Sequence, residues 1–291
     1  KTAKGRAIQN MINLPKDDKV MAYINTKDLK DEEYINSHYI VMCTKKGVIK
    51  KTSLEQYSRP RTNGINAITI REGDQLLEAK MTTGNSQIMM AVKSGKSIRF
   101  EEEKVRSMGR TAAGVRGIRL PSEDDEVVGM ICINDMESSV LVVSENGYGK
   151  RSAVEDYRIT NRGGKGVKTI NVTEKTGGLI ALKNVTDADD LMVINKSGIT
   201  IRIGVDTLRV MGRATQGVKI IRLRDEDSIA SVASVSKWEE EEELLLDEEG
   251  NVIENEIVDA IENEETITDE TSTEENEDNN TNKNNEENEE N

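Results

Sequence analysis

Aromatic residues make up only 3% of this 291-residue chain, with one Trp and one Phe. That scarcity argues against a surface that stacks bases on aromatic rings. Two cysteines and one histidine exclude a disulfide scaffold and a Cys/His zinc site, and point to a reducing compartment. Proline is also rare, at three residues, which suits sheet interiors. No apolar run approaches the roughly 20 residues that a membrane helix needs. No apolar leader follows Lys1, and without an initiating Met the chain reads as a fragment or a processed product. No nucleophile–base pair, carboxylate dyad or metal-ligand cluster stands out, so no catalytic or metal residue is assigned. Cys43 and Cys132 lie in apolar strands and read as core, while His38 lies at a polar strand start and reads as surface.

What is present is charge, unevenly spread. The net charge is −14. From Lys237 onward there are 24 Asp and Glu against two Lys, a net of −22, which leaves a body at +8. The expected division is therefore a body over 1–237 and an acidic tail over 238–291. The tail is rich in Glu, Asn and Thr, and too poor in apolar residues to offset its ordering entropy, so disorder is expected there. Trp238 is expected to pack over the last strand of the body.

The body repeats itself. One motif reads YIVMCTKKGVIKKTSL (39–54), QIMMAVKSGKSIRFEE (87–102), SVLVVSENGYGKRSAV (139–154) and DLMVINKSGITIRIGV (190–205). Its turn glycines are Gly47, Gly95, Gly147 and Gly198. A second motif reads KGRAIQNMINL (4–14), NGINAITI (63–70), AGVRGIRL (113–120), KGVKTINV (165–172) and QGVKIIRL (216–223). The runs are rich in Val, Ile and Thr, and Gly, Asn and Asp punctuate them, so each repeat of about 50 residues reads as four strands. The expected fold class is all-β, a propeller-like array of four-stranded blades. A mixed β-sandwich is the alternative. The uneven motif count predicts a chain that starts in mid-blade.

The repeats hold basic residues at fixed places. Four residues after each turn glycine stand Lys51, Arg99, Arg151 and Arg202, with Lys150 beside Arg151. Eleven residues on stand Ser58, Arg106, Arg158 and Arg209. Four residues before the second-motif glycine stand Arg110, Arg162 and Arg213, and the earlier copy has Arg59 and Arg61 flanking Pro60. Two residues after that glycine stand Asn66, Arg116, Lys168 and Lys219. In a radial array such positions recur around the perimeter, so a belt of cations is expected. A belt of this kind suits the phosphates of a bent duplex, bound without regard to sequence. The other reading is solvated strand edges, where Lys and Arg guard against aggregation.

Three stretches carry a family likeness: Val105–Arg110 leading to Gly114–Leu120, Glu145–Arg151, and Met211–Arg213 leading to Gly217. Through them, over about residues 3–236, the sequence resembles the C-terminal DNA-wrapping domain of bacterial DNA gyrase A. The resemblance implies a β-pinwheel, in which neighbouring blades exchange strands, with about four to five of the family's six blades present. It implies duplex DNA as ligand, wrapped around the rim, and the N-terminal region of gyrase A together with gyrase B as partners. It further implies a cytoplasmic, nucleoid-associated protein without a membrane, whose acidic tail tunes wrapping. The catalytic tyrosine, ATP and Mg would belong to other parts of the parent enzyme, with no cofactor in this fragment. The family's first blade carries the heptad Gln-Arg-Arg-Gly-Gly-Lys-Gly. The resemblance implies that this blade is absent here, but Thr160–Gly166 keeps the last five residues, Arg162, Gly163, Gly164, Lys165 and Gly166, which are added to the expected DNA contacts. The rival readings are the equivalent domain of topoisomerase IV and a protein-binding propeller.

Overall fold

The computed structural model describes residues 18–224 and 227–236. All of them belong to the unit 1–237. The second-motif copy at 4–14, Trp238 and the acidic tail lie outside the described residues, as do the expectations attached to them.

Fifteen strands are described. In chain order they are β1 (Tyr39–Thr44), β2 (Val48–Ser53), β3 (Leu76–Thr82), β4 (Gln87–Val92), β5 (Lys96–Glu101), β6 (Val115–Arg116), β7 (Val127–Ile133), β8 (Ser139–Ser144), β9 (Tyr148–Ala153), β10 (Val167–Lys168), β11 (Leu179–Val185), β12 (Asp189–Asn195), β13 (Thr200–Gly204), β14 (Val218–Lys219) and β15 (Ile229–Ser236). A short helix, α1 (Glu32–Ser37), precedes them; the Asp31 carboxylate caps it by accepting from the Glu33 and Tyr34 N–H groups. The strands form four antiparallel sheets, ordered β3-β1-β2-β6, β7-β4-β5-β10, β11-β8-β9-β14 and β15-β12-β13.

This order shows the strand exchange. The chain builds β1 to β3, moves on to β4 and β5 of the second sheet, and only then returns β6 to the edge of the first. β10 and β14 do the same one and two sheets later. The first-motif copies are thus the central hairpins, and the second-motif copies from 113 onward supply the outermost strands. β1, β4 and β8 are buried along nearly their whole length, as a continuous apolar run requires when both faces are covered. Apolar residues of successive sheets fill the space between them. Val41, Cys43 and Ile49 meet Ile88, Met90, Phe100 and Met130, and the next two interfaces repeat the arrangement.

Each returning strand latches onto the turn glycine of the sheet it joins. The Gly117, Thr169 and Ile220 N–H groups donate to the carbonyls of Gly47, Gly95 and Gly147, each at 2.8 Å. A Cβ at Gly47 would sit 2.8 Å from the Ile118 carbonyl oxygen, and φ there is +82°. Gly198, the equivalent glycine of the fourth sheet, has nothing within 4 Å of that point, because no returning strand is present there among the described residues.

The cation four residues after each turn glycine is the second latch, and here the structure corrects the sequence reading. Lys51, Arg99 and Arg151 are 6%, 4% and 7% exposed, so they do not stand on the rim. They reach into the next repeat. Arg99 Nη1 donates to the Val154 and Tyr157 carbonyls at 2.7 and 2.9 Å. Arg151 Nε donates to the Leu208 carbonyl at 2.7 Å, and its Nη1 pairs with Asp187. Lys51 pairs with Glu102 at 2.9 Å and lies 4.2 Å from the centroid of the Tyr39 ring. Backbone bonds reinforce each link: the Met108, Thr160 and Met211 N–H groups donate to the carbonyls of Lys51, Arg99 and Arg151. Arg202 has no following repeat among the described residues. It turns to Asp190 instead, with its side chain 51% exposed.

The Glu102 side chain is fully buried and also accepts from Thr82 Oγ1 at 2.8 Å. Glu102→Gln leaves the Lys51 ammonium buried without its counter-ion. Urea unfolding is expected to show a loss of about 3 kcal/mol, and the double replacement K51M/E102Q to recover most of it, since it removes the orphaned ion while the Gln amide still partners Thr82 and Ser86.

Candidate nucleic-acid interface

The remaining recurrent cations stand outside the core. Arg59, Arg61, Arg106, Arg116, Arg158, Lys165, Lys168, Arg209 and Lys219 are exposed, and Arg110, Arg162 and Arg213 are half-buried. Among the described residues none of these twelve lies in an ion pair, whereas Lys51, Arg151 and Arg202 all do.

Two positions that are separate in sequence come together at each junction between sheets. Arg162 Nη1 donates to the Arg116 carbonyl at 3.1 Å, and its Nε to the Lys104 carbonyl at 2.9 Å. Arg213 Nη1 donates to the Lys168 carbonyl at 2.9 Å. Arg110 Nη1 donates to the Asn66 carbonyl at 3.3 Å. The arginine four residues before one second-motif glycine therefore grips the residue two after the preceding one, in all three copies. Backbone contacts follow the same rule: the Thr69, Arg119 and Asn171 N–H groups donate to the carbonyls of Ala112, Gly164 and Thr215. Arg116 with Arg162, and Lys168 with Arg213, form neighbouring pairs of cations held by backbone rather than by carboxylates. A guanidinium has five N–H donors, so one or two spent on carbonyls leave others for a ligand.

The loops that carry these arginines rest on side chains three residues after the turn glycine. Lys150, expected at the rim, is 1% exposed, and its equivalent two repeats earlier, Lys50, is fully buried. Lys150 Nζ donates to the Gly212 carbonyl at 2.6 Å and to Thr215 Oγ1 at 3.2 Å. Lys50 Nζ donates to the Ala67 carbonyl at 2.6 Å and to that of Arg110. Under the loop around Gly164 the same place holds Ile98, whose Cδ1 is 3.5 Å from where a Gly164 Cβ would lie. Sequence reasoning missed Lys50 altogether; the signal available was the recurrence of Lys at this place in alternate repeats. It also missed the exposed Arg119 and Arg222, which stand five residues after two of the second-motif glycines.

The sequence profile described as DNA gyrase C-terminal domain, beta-propeller, matches residues 38–82, 86–134, 138–186 and 189–236. The chain belongs to this DNA gyrase C-terminal domain family. DNA gyrase A of Staphylococcus aureus (strain NCTC 8325 / PS 47) is 39% identical over 286 residues, covering 90% of this chain and 32% of that protein. The chain thus spans about a third of the length of such relatives. A crystal structure of the C-terminal domain of DNA topoisomerase IV superposes with a TM-score of 0.73 at 23% identity, covering 80% of this chain and 71% of the other. A structure of a DNA gyrase A C-terminal domain superposes with a TM-score of 0.69 at 24% identity, covering 80% and 75%. At these identities the two superpositions establish the fold.

Each of the four matched segments spans one copy of the first motif, the second-motif copy after it, and the long strand β3, β7, β11 or β15. The sheets do not respect those boundaries, because β6, β10 and β14 cross them. In the Arg162–Gly166 loop the three glycines do different work. Gly163 has φ +78° with room around its Cα, Gly166 has φ +71° with the Ser97 carbonyl against it, and Gly164 has neither constraint. Melting curves are expected to place Gly164→Ala close to the parent, Gly163→Ala about 1 kcal/mol below it for the left-handed backbone alone, and Gly166→Ala lower still.

Proposed function

We propose that this chain is the DNA-wrapping module of a DNA gyrase A, binding duplex DNA by its phosphates and taking no part in strand breakage. The observation that carries this reading is the set of junction pairs, Arg116 with Arg162 and Lys168 with Arg213. Their members lie outside the core and have no carboxylate partner among the described residues. Because the junctions are structurally equivalent, the pairs follow one another from sheet to sheet. A duplex that tracked them would have to bend. Smooth bending of 20–30 bp through 40–90° costs about 1–6 kcal/mol, which several phosphate contacts per repeat can offset.

Family membership and the likeness to gyrase A favour gyrase over topoisomerase IV as parent. In the whole enzyme the module would act with the N-terminal region of gyrase A and with gyrase B, which would supply the catalytic tyrosine, ATP and Mg. The buried cations Lys51, Arg99, Lys150 and Arg151 are assigned to the scaffold, while Arg59, Arg61, Arg106, Arg158, Lys165, Arg209 and Lys219 extend the belt on either side of the pairs.

Duplex affinity measured across a salt series tests the reading. The log–log slope is expected to be steep, and each of Arg116→Ala, Arg162→Ala, Lys168→Ala and Arg213→Ala to flatten it by about 0.9. Arg99→Met is expected to lower stability and leave the slope of the folded fraction unchanged. No retardation of duplex at low salt would favour the protein-binding propeller instead. On closed circles, wrapping by the parent enzyme is expected to shift linking number, and loss of the four cations to abolish that shift.

A further inference from the structure

Two buried ammonium groups sit beneath the loops assigned above to DNA, and their hydrogen bonds among the described residues go to loop carbonyls and one hydroxyl. Lys50 closes on the carbonyls of Ala67 and Arg110, which belong to two successive second-motif loops. Lys150 closes on the Gly212 carbonyl and Thr215 Oγ1, on either side of Arg213. Neither amine has a carboxylate within ion-pair distance among the described residues. Burying a charge without a counter-ion is costly, and apolar side chains fill the same place in the other two repeats, as Ile98 and Ile201. The lysines therefore serve something that an apolar side chain does not.

We propose that Lys50 and Lys150 are positioning residues for the DNA-facing loops: each holds its loop by backbone groups and adds an ammonium charge beneath the phosphate path. This rests on the duplex-binding reading given above. The loop around Gly163 and Gly164, seated on Ile98, is the internal control.

The titration of these groups gives the inference a signature. Burial, followed by the Arg110 guanidinium, lowers Lys50 to about 8; Tyr57, whose hydroxyl donates to the same Ala67 carbonyl, faces it as well. Burial likewise lowers Lys150 to about 8, with Asp156 opposing the shift and Arg213 adding to it. An approaching polyanion favours the ammonium form and raises both values. Binding is then linked to proton uptake. Affinity is full below about pH 8 and is lost as the pH rises through the bound-state values.

The test uses the whole chain and a short labelled duplex at constant ionic strength between pH 7 and pH 9.5. Wild-type affinity is expected to fall about tenfold over that range. The K50R/K150R variant, charged throughout, is expected to show no fall. The K50M/K150M variant is expected to bind about tenfold more weakly at pH 7 and to lose the pH dependence. A flat wild-type profile, or a fall that K50M/K150M retains in full, would overturn the proposal. Trypsin acting on the free protein separates this inference from the DNA reading itself. In K50M/K150M, cleavage after Arg110 and Arg213 is expected to speed up several-fold relative to cleavage after Arg162. An unchanged ratio overturns the positioning role whether or not duplex binds. A raised ratio in a protein that binds no duplex upholds the positioning of the loops and sinks the DNA reading alone.

Discussion

The hand-off of one buried cation from each of the first three repeats to the next is the constraint on which the rest of this structure depends. Arg99 satisfies the Tyr157 carbonyl and adds a second donor to that of Val154, which already accepts from the Tyr157 N–H, and Arg151 satisfies that of Leu208; Tyr157 and Leu208 stand where a short 3-10 turn ends. Such carbonyls, buried between sheets, would each cost about 1–3 kcal/mol if left without a donor. Burial pulls the Arg99 guanidinium below its usual range, but an arginine stays charged at any physiological pH, so the donor is permanent. The first junction solves the same problem differently. There Lys51 meets a carboxylate, Glu102, which in turn accepts from Thr82 and Ser86.

Strand exchange multiplies the effect. A sheet of this protein is complete only when the chain has built most of the next one and returned its outer strand. The turn glycine, the returning strand and the buried cation then close together. Gly47, Gly95 and Gly147 leave room for a carbonyl that any Cβ would displace, whereas Gly198 faces no such carbonyl among the described residues. The fourth sheet therefore shows, by contrast, what the latches do elsewhere. Its β13 is half-exposed where β2, β5 and β9 are buried, and Arg202 is left to pair within its own sheet.

Periodicity made the four hairpins, their turn glycines and the outer strands legible in sequence, because each is a local consequence of Gly placement and apolar runs. Strand exchange was legible only through family likeness, since no local pattern says which sheet a two-residue strand such as β6 will join. The basic positions were legible as recurrences but not as directions. Lys51, Arg99 and Arg151 recur as faithfully as Arg110, Arg162 and Arg213, and a strand alternates its two faces without declaring which faces a neighbour. In the fold each of the three lies within a strand whose flanking residues on both sides are buried, but Lys50, Thr52, Lys150 and Ser152 are polar and give no sign of that in sequence.

The same contrast explains which residue types recur at the junctions. Four residues before the second-motif glycine the side chain itself bonds a distant carbonyl in three of the four described copies, and all three use Arg, whose planar fork can hold a carbonyl and still point donors outward; the first copy has Pro60 there. Two residues after that glycine it is the backbone carbonyl that is gripped, so the side chain is free to vary, and it does: Asn66, Arg116, Lys168 and Lys219. Side-chain identity is held where geometry needs it, and only charge is favoured where solvent or a ligand lies beyond. A fixed guanidinium beside a variable, mostly cationic neighbour is an arrangement suited to phosphate by position and charge, in keeping with the proposed function.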